Sequence, residues 1–390
     1  MVVQAQPSPH ALYISEISLA ISYQLEDDRK ALARFARCCR ASLGPALDVL
    51  WSRVPSFSPF IPLLPLSVKS LWDHCQLDEV TLVEFQCPPE EEWRIFDSYA
   101  RRVRKLYSGS HLHQIVARIR SKTTLFPLLR SLSLQLLEPL DMQGHLFSDS
   151  LRSLKISGPA YVHCKDARVQ IAIAHIARDA PLLESLHVED FAYSVAQSSL
   201  PPLHFAHLRA VEISAFFDHS LLQSLCRILS QAPVTQLKLE LPALPDKDWS
   251  ISFPVFPALR SLRICGNPAS AEHFIFHLAS KGIHELSIYH TRGPASAADC
   301  RRLLSLVAEK YGNTLQTLSL ALSRSPTPNY PYDLSQAVLD ALRTLVPTLN
   351  QLETLHLLLP HNRYVHLQES ELTFEPLTWP SLKNLDVQAT

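Results

Sequence analysis

A short apolar pattern, Leu-x-x-Leu-x-Leu with apolar substitutes, returns twelve times along this 390-residue chain. Its clearest copies read Leu129-Arg-Ser-Leu132-Ser-Leu134, Leu183-Glu-Ser-Leu186-His-Val188 and Leu259-Arg-Ser-Leu262-Arg-Ile264. Others are Leu151/Leu154/Ile156, Leu208/Val211/Ile213, Val234/Leu237/Leu239, Ile283/Leu286/Ile288, Leu315/Leu318/Leu320, Leu352/Leu355/Leu357 and Leu382/Leu385/Val387. Two degenerate copies, Leu77/Val80/Leu82 and Val103/Leu106/Ser108, precede them, and the steps between copies run from 22 to 37 residues. Within each copy the last four residues alternate. Leu262 and Ile264 therefore share one face of a short strand, and Ser261 and Arg263 share the other. One such strand cannot bury its apolar face alone, whereas parallel copies stacked side by side make a continuous core. Parallel neighbours need a crossover connection. Helical runs supply it at His111–Lys122, Ile171–Ile176, Leu221–Leu229, Ala271–Ser280, Ala297–Tyr311 and Leu334–Val346.

A box of this form at a period of roughly 20–29 residues is the leucine-rich-repeat signature, and longer steps are insertions. The expected fold is an α/β solenoid, an irregular leucine-rich-repeat horseshoe over residues 76–390, with parallel strands on the concave face and helices on the convex one. The Asn that regular repeats carry three residues after the box stands only at Asn267, so a continuous Asn ladder is excluded. Several boxes are announced by Pro: Phe126-Pro127, Ala180-Pro181, Ala232-Pro233, Phe256-Pro257 and Trp379-Pro380. There Pro is expected to end the preceding helix and hold the chain extended into the strand.

Composition narrows the function classes. Apolar residues at 47% with 19% charged describe a folded chain rather than a disordered one. A net charge of −1 gives no strong draw to nucleic acid or membrane. No apolar run reaches about 18 residues, and residues 1–10 show no secretory signal. The expected setting is intracellular, cytoplasmic or nuclear. The eight cysteines include no Cys-x-x-Cys pair and read as reduced packing thiols. The eight glycines are never clustered, which argues against a phosphate-cradling loop.

Residues 10–54 do not follow the repeat and read as three short helices. Ile14, Ile17 and Ile21 form a first stripe. Leu32, Phe35, Ala36 and Cys39 form a second, with Asp27 and Asp28 at its positive end. Leu43, Leu47, Leu50 and Trp51 form a third, with Ser42 as its expected cap. The runs Leu12-Tyr-Ile-Ser-Glu16-Ile17…Ile21, Arg29-Lys-Ala-Leu32-Ala-Arg-Phe35-Ala36-Arg-Cys38-Cys39-Arg40 and Ala46-Leu47…Leu50-Trp51 resemble an F-box. An F-box is the small helical motif by which substrate receptors dock onto the adaptor subunit of SCF ubiquitin ligases. Together with Leu50-Trp51-Ser-Arg-Val-Pro55…Leu63-Leu64-Pro65 and Tyr99-Ala-Arg-Arg-Val103-Arg-Lys-Leu106, nearly the whole chain resembles the F-box proteins with irregular leucine-rich repeats of mushroom-forming fungi. The family's Leu-Pro-x-Glu-Ile-like run has Tyr13 or Ser15 here in place of Pro, which elsewhere pre-shapes the helix start. The resemblance implies that Leu12, Ile14, Glu16, Ile17, Ile21, Leu32, Phe35, Leu47 and Trp51 bind the adaptor. A helical linker is expected over 55–75.

Other constellations read more simply. His273 and His277 have a spacing that can chelate zinc, but no third ligand accompanies them, so no metal is expected. Glu90-Glu91-Glu92 reads as a solvated loop and Arg101-Arg102-Val-Arg104-Lys105 as a solvated lead into a strand. No Gly-x-Ser-x-Gly or His-Glu-x-x-His occurs. The alternation itself is more informative, because it sends Lys105, Tyr107, Lys155, His187, Glu212, Lys238, Arg263, Glu285, His356 and Asp386 to the concave face, with Glu189, Glu240 and Tyr289 one position further out. Large polar and aromatic groups there have no core role and make a recognition face. Tyr107, His187, Lys238, Arg263, Tyr289 and His356 are the expected partner-binding residues, and mixed charge favours a protein partner. The Pro-rich insertion Ser325–Tyr332 is a second candidate contact. The expected function is a non-catalytic substrate receptor of an SCF-type ligase, needing no cofactor and monomeric outside its complex. The alternative is a binding scaffold whose N-terminal helices only cap the repeats.

Overall fold

The computed structural model describes residues 13–73, 87–108, 116, 119–120, 124–135, 147–157, 176–189, 205–214, 219–241, 256–290, 296–322, 333–345, 348–359 and 381–389. Leu12, the box at Leu77/Val80/Leu82, most of the run at 111–122, residues 171–175, the Pro-rich segment 325–332 and the Trp379-Pro380 pair lie outside them. The chain forms two compact units, Met1–Ser157 with Ile171–Leu183, and Gly158–Gln170 with Glu184–Thr390.

The first unit opens with helices α1 (Ser15–Gln24), α2 (Arg29–Ala36) and α3 (Arg40–Ser52), α1 and α2 both lying on α3. Asp28 caps α2 by accepting the Ala31 amide at 2.9 Å, as the acidic start of that helix implied. Leu32, Ala36, Ala46 and Val49 form the core, with Leu19, Leu25, Phe35 and Leu50 at its margin. The inward face of α1 differs from the expected stripe. Ser18 and Ser22 are fully buried, while Ile14 is 49% and Ile17 38% exposed. Small serines let the helices approach closely, and Ser22 Oγ donates to the Ser18 carbonyl at 2.7 Å, satisfying its polar group internally. Ser42 is not the α3 cap either. The helix starts at Arg40, and the buried Ser42 hydroxyl bonds the carbonyls of Phe35 (2.8 Å) and Cys39 (3.0 Å), tying the end of α2 to the start of α3.

Helix α3 runs directly into β1 (Arg53–Val54), which pairs in parallel with β2 (Lys105–Ser108). Strands β3 (Ser131–Gln135) and β4 (Ser153–Ser157) continue in chain order. Between β1 and β2 lie a 3-10 turn (Ser58–Leu63), α4 (Leu66–Asp73), a second 3-10 turn (Glu90–Trp93) and α5 (Arg94–Ala100). An aromatic cluster joins these parts. Trp51 of α3 packs at a tilt against Phe60 and Tyr99 with centroids 5.1 and 4.7 Å apart. Phe57, Phe60, Phe96 and Phe126 lie within 5.2–6.5 Å of one another. The two charged runs are partly structural. Arg120, 6% exposed, bonds Asp97 and Glu90 and covers the Trp93 ring at 4.9 Å. Arg102 bonds Asp48 of α3 and the Gly44 carbonyl.

The second unit carries β5 (Ser185–Glu189), β6 (Ala210–Ser214), β7 (Gln236–Glu240), β8 (Ser261–Cys265), β9 (Glu285–His290), β10 (Thr317–Leu322), β11 (Thr354–Leu359) and β12 (Asn384–Ala389), parallel and in chain order. Crossovers include α6 (His219–Leu229), α7 (Pro268–His277), α8 (Ala297–Tyr311) and α9 (Asp333–Leu345). This is the α/β solenoid of the leucine-rich-repeat class. Leu186, Val211, Leu237, Leu262, Leu286, Leu318 and Leu355 stand side by side in register, none more than 3% exposed. A second backbone regularity runs with them. One carbonyl of each repeat accepts two consecutive amides of the next: Arg209 O takes Thr235 and Gln236, Thr235 O takes Arg260 and Ser261, and Arg260 O takes His284 and Glu285, all at 2.8–3.0 Å. Asn267 belongs to no ladder. It caps α7, accepting the Ser270 amide at 2.7 Å, with Pro268 in the first turn. The Pro residues also act differently from expectation. The amides of Leu129, Leu183 and Leu259 bond back to the carbonyls of Phe126, Ala180 and Phe256 at 3.1–3.2 Å. Pro127, Pro181 and Pro257 thus occupy the second position of a tight turn, where their fixed φ is already correct.

Helices α7, α8 and α9 lie side by side. Lys310 of α8 donates to the carbonyls of Ile275, Phe276 and Leu278 at 2.7–2.9 Å, closing the C-terminal end of α7. Gly312 follows α8 where any Cβ would strike the carbonyls of Thr348 and Ala308. Gly312→Ala should therefore cost about 1–3 kcal/mol through overpacking. Phe60→Ala, at a site with no exposed surface, should cost about 3–5 kcal/mol. Urea denaturation of both variants checks these values, and losses below about 1 kcal/mol would contradict the packing described.

Candidate functional site

The solvent-facing rows of the second unit are set by the same alternation that builds its core. Because every strand pairs in register, His187, Glu212, Lys238, Arg263, Ser287, Ser319, His356 and Asp386 form one row across β5 to β12. Four of the expected partner-binding residues, His187, Lys238, Arg263 and His356, stand in it. Tyr289 stands in the next row, beside Cys265. Tyr107 belongs to the first unit, on β2, and is 53% exposed.

Glu212 organises the β5–β7 end of the row. His187 Nδ1 lies 3.0 Å from one carboxylate oxygen, Lys238 bonds the other, and Ser214 Oγ donates at 3.3 Å. Glu189 stands 3.7 Å from the other imidazole nitrogen. Burial by itself would raise the Glu212 carboxyl. The Lys238 bond, the charges of His187 and Lys238 and the Ser214 hydroxyl together outweigh it and hold the group below the usual carboxylate range. Further along, the Arg263 guanidinium lies over the Tyr289 ring at 5.4 Å. His356 Nδ1 is 3.5 Å from Asp386, with both side chains about half exposed. Alternation had placed Glu212 on this face, but only the cross-strand register reveals that it holds two of the predicted residues in place.

The residues expected to meet an adaptor divide into three groups. Glu16 and Ile17 of α1 and Ile14 just before it are exposed, with Tyr13 beside them at 65% exposure. Ile21, Phe35, Leu47 and Trp51 are half-buried. Leu32, 1% exposed, is core and offers no surface. Glu16 is drawn below the ordinary carboxylate range by a backbone hydrogen bond and then by Ser15.

His273 and His277 do adjoin, with ring centroids 4.5 Å apart, but no group of three or more metal-ligating side chains gathers among the described residues. Cys226 and Cys300 are buried thiols, pushed up by burial to about 12 and about 11. They are unreactive packing groups. No helix among the described residues is long and apolar enough to cross a membrane.

No protein-family model and no curated protein matches the chain. Among solved structures, a chain of the crystal structure of the Rad7 and Elc1 complex in yeast aligns with 98% of this chain and 87% of its own length. The identity is 16% and the TM-score 0.31, a likeness too loose to bear on function.

Removing the organising carboxylate has a signed pH consequence. The folded-state pKa of Glu212 is depressed, so its contribution is present above the unfolded carboxylate value and is lost as pH falls through the folded value. Glu212→Gln should be less stable than the parent by about 1 kcal/mol at neutral pH, the scale of a solvent-screened pair. That gap should close in acid, and thermal melts from pH 7 to about pH 3 check it. A gap that is constant or widens in acid would contradict the assignment.

Proposed function

We propose that this chain is a non-catalytic recognition subunit of an SCF-type ubiquitin ligase. Its first helix docks the adaptor, and the solvent face of its strands binds a target protein. The observation that carries the adaptor part is the orientation of α1. Ser18 and Ser22 turn inward, and Tyr13, Ile14 and Ile17 stand in solvent. A short helix that leaves adjacent apolar side chains uncovered presents a surface for another protein to cover. This fits the F-box resemblance of the same residues. For the target, the support is the mixed row from His187 to Asp386, a surface of charged groups, imidazoles and serines with no core duty. In this reading the chain supplies proximity, and bond chemistry belongs to enzymes elsewhere in the complex.

A second reading has its own observation. Helix α3 continues into β1, and Trp51 packs against Phe60 and Tyr99, so the three helices also serve as an end cap for the first strands, as terminal repeats require. In a scaffold with no ligase role they would do nothing else.

The exposed residues separate the two readings without disturbing the fold. Full-length protein should bind the purified SCF adaptor subunit in surface plasmon resonance. The double variant Ile14→Asp/Ile17→Asp should weaken binding at least about tenfold while its melting temperature stays close to the parent's. Equal binding by both proteins, or no binding by the parent, would leave the helices as a cap only.

A further inference from the structure

The outer row of the sheet in the second unit changes character at β8. On β5 to β7 it reads Glu189, Ser214 and Glu240. From β8 to β11 it reads Cys265, Tyr289, Ala321 and Leu358, register partners on successive strands. All four are half-buried. Neighbouring strands lie about 4.8 Å apart, so this apolar strip is about 14 Å long. Apart from Ala210, the other outward strand positions of this unit are polar. Ser287 and Ser319, both small, border the strip in the adjoining row.

One end of the strip is charged in a particular way. Lys238 is committed to Glu212, and His356 faces Asp386. Arg263 is exposed, and no acidic group lies within ion-pair range of it among the described residues. Its guanidinium rests on the Tyr289 ring at 5.4 Å, so its hydrogen-bond donors are held at the edge of the strip. Glu240 and Glu285, on the two flanking strands, confine the positive region to this guanidinium. The acidic groups at β5–β7 disfavour continuation of a negative segment in that direction.

We propose that this strip, with Arg263, is the recognition site for an extended segment of the target protein carrying an aliphatic or aromatic side chain with an acidic residue one or two positions away. The apolar side chain lies on Cys265, Tyr289, Ala321 and Leu358. The carboxylate pairs with Arg263, whose planar fork suits it. The inference rests on the target-binding reading above and deepens it by naming the chemistry of the target.

A random 12-residue phage-displayed peptide library, selected on full-length protein, tests this directly. Enriched peptides should share an apolar residue with Asp or Glu within two positions. A synthetic copy should bind the parent in fluorescence anisotropy, and Arg263→Glu and Leu358→Asp should each weaken it at least about tenfold. Replacing the peptide's acidic residue by Lys should restore binding to Arg263→Glu, which a merely unfolded variant could not do. Enrichment of basic peptides, or binding indifferent to both substitutions, would overturn this site while leaving target binding by the sheet intact. No enrichment at all would overturn both the site and the target-binding reading.

Discussion

The structure depends on the burial of one apolar row that no single repeat can bury. A five-residue strand such as Ser261–Cys265 has two inward side chains and a backbone full of unpaired groups. Stacking answers both needs together. Leu237, Leu262 and Leu286 cover one another's flanks, and each repeat's carbonyl receives two amides from the next. The register is therefore tightly specified, because a slip of one residue would send every leucine into solvent. Everything on the outward face inherits that precision.

The inheritance explains how polar groups scattered through the sequence become a surface. His187, Glu212 and Lys238 lie tens of positions apart in the chain, yet they are adjacent across strands and joined by one carboxylate. The register fixes where each of these groups stands before anything touches the surface, and a preformed surface costs less entropy to order on binding than a flexible one. The buried thiols of Cys226 and Cys300 are held protonated, and in the row itself Glu212 pairs with His187 and Lys238 while His356 faces Asp386.

Much of this was legible in the sequence. The boxes from Leu129 onward that fall among the described residues all form strands, and the run Ala297–Tyr311 is helix α8 to the residue. Alternation sent His187, Lys238, Arg263 and His356 to one row because a period of two has no ambiguity once one face is apolar. Helix rotation was less legible. At α1 the isoleucine stripe is apolar, yet Ile14 and Ile17 are exposed and only Ile21 is half-buried, since close approach to α3 favoured the small Ser18 and Ser22, and periodicity alone does not say which face is covered. Ser42 and Asn267 show a related effect. Their hydrogen bonds depend on where a chain end arrives in space, which residue type does not encode. Strand β1, only Arg53–Val54, was too short to carry a pattern, and the aromatic cluster that follows it gathers Phe57, Phe60, Phe96 and Phe126 from distant positions.

The central claim is that the strands stack in one register with the His187–Asp386 row outward, and paired cysteines read it directly. Ser287 and Ser319 are register partners on adjacent strands, at the separation a disulfide spans. Mild oxidation of Ser287→Cys/Ser319→Cys, with the joined peptides identified by mass spectrometry, should give that cross-link in high yield. Ser287→Cys/Leu318→Cys, which pairs an outward position with an inward one, should give none. The reverse outcome would mean that the strands are offset and that the face described here does not exist.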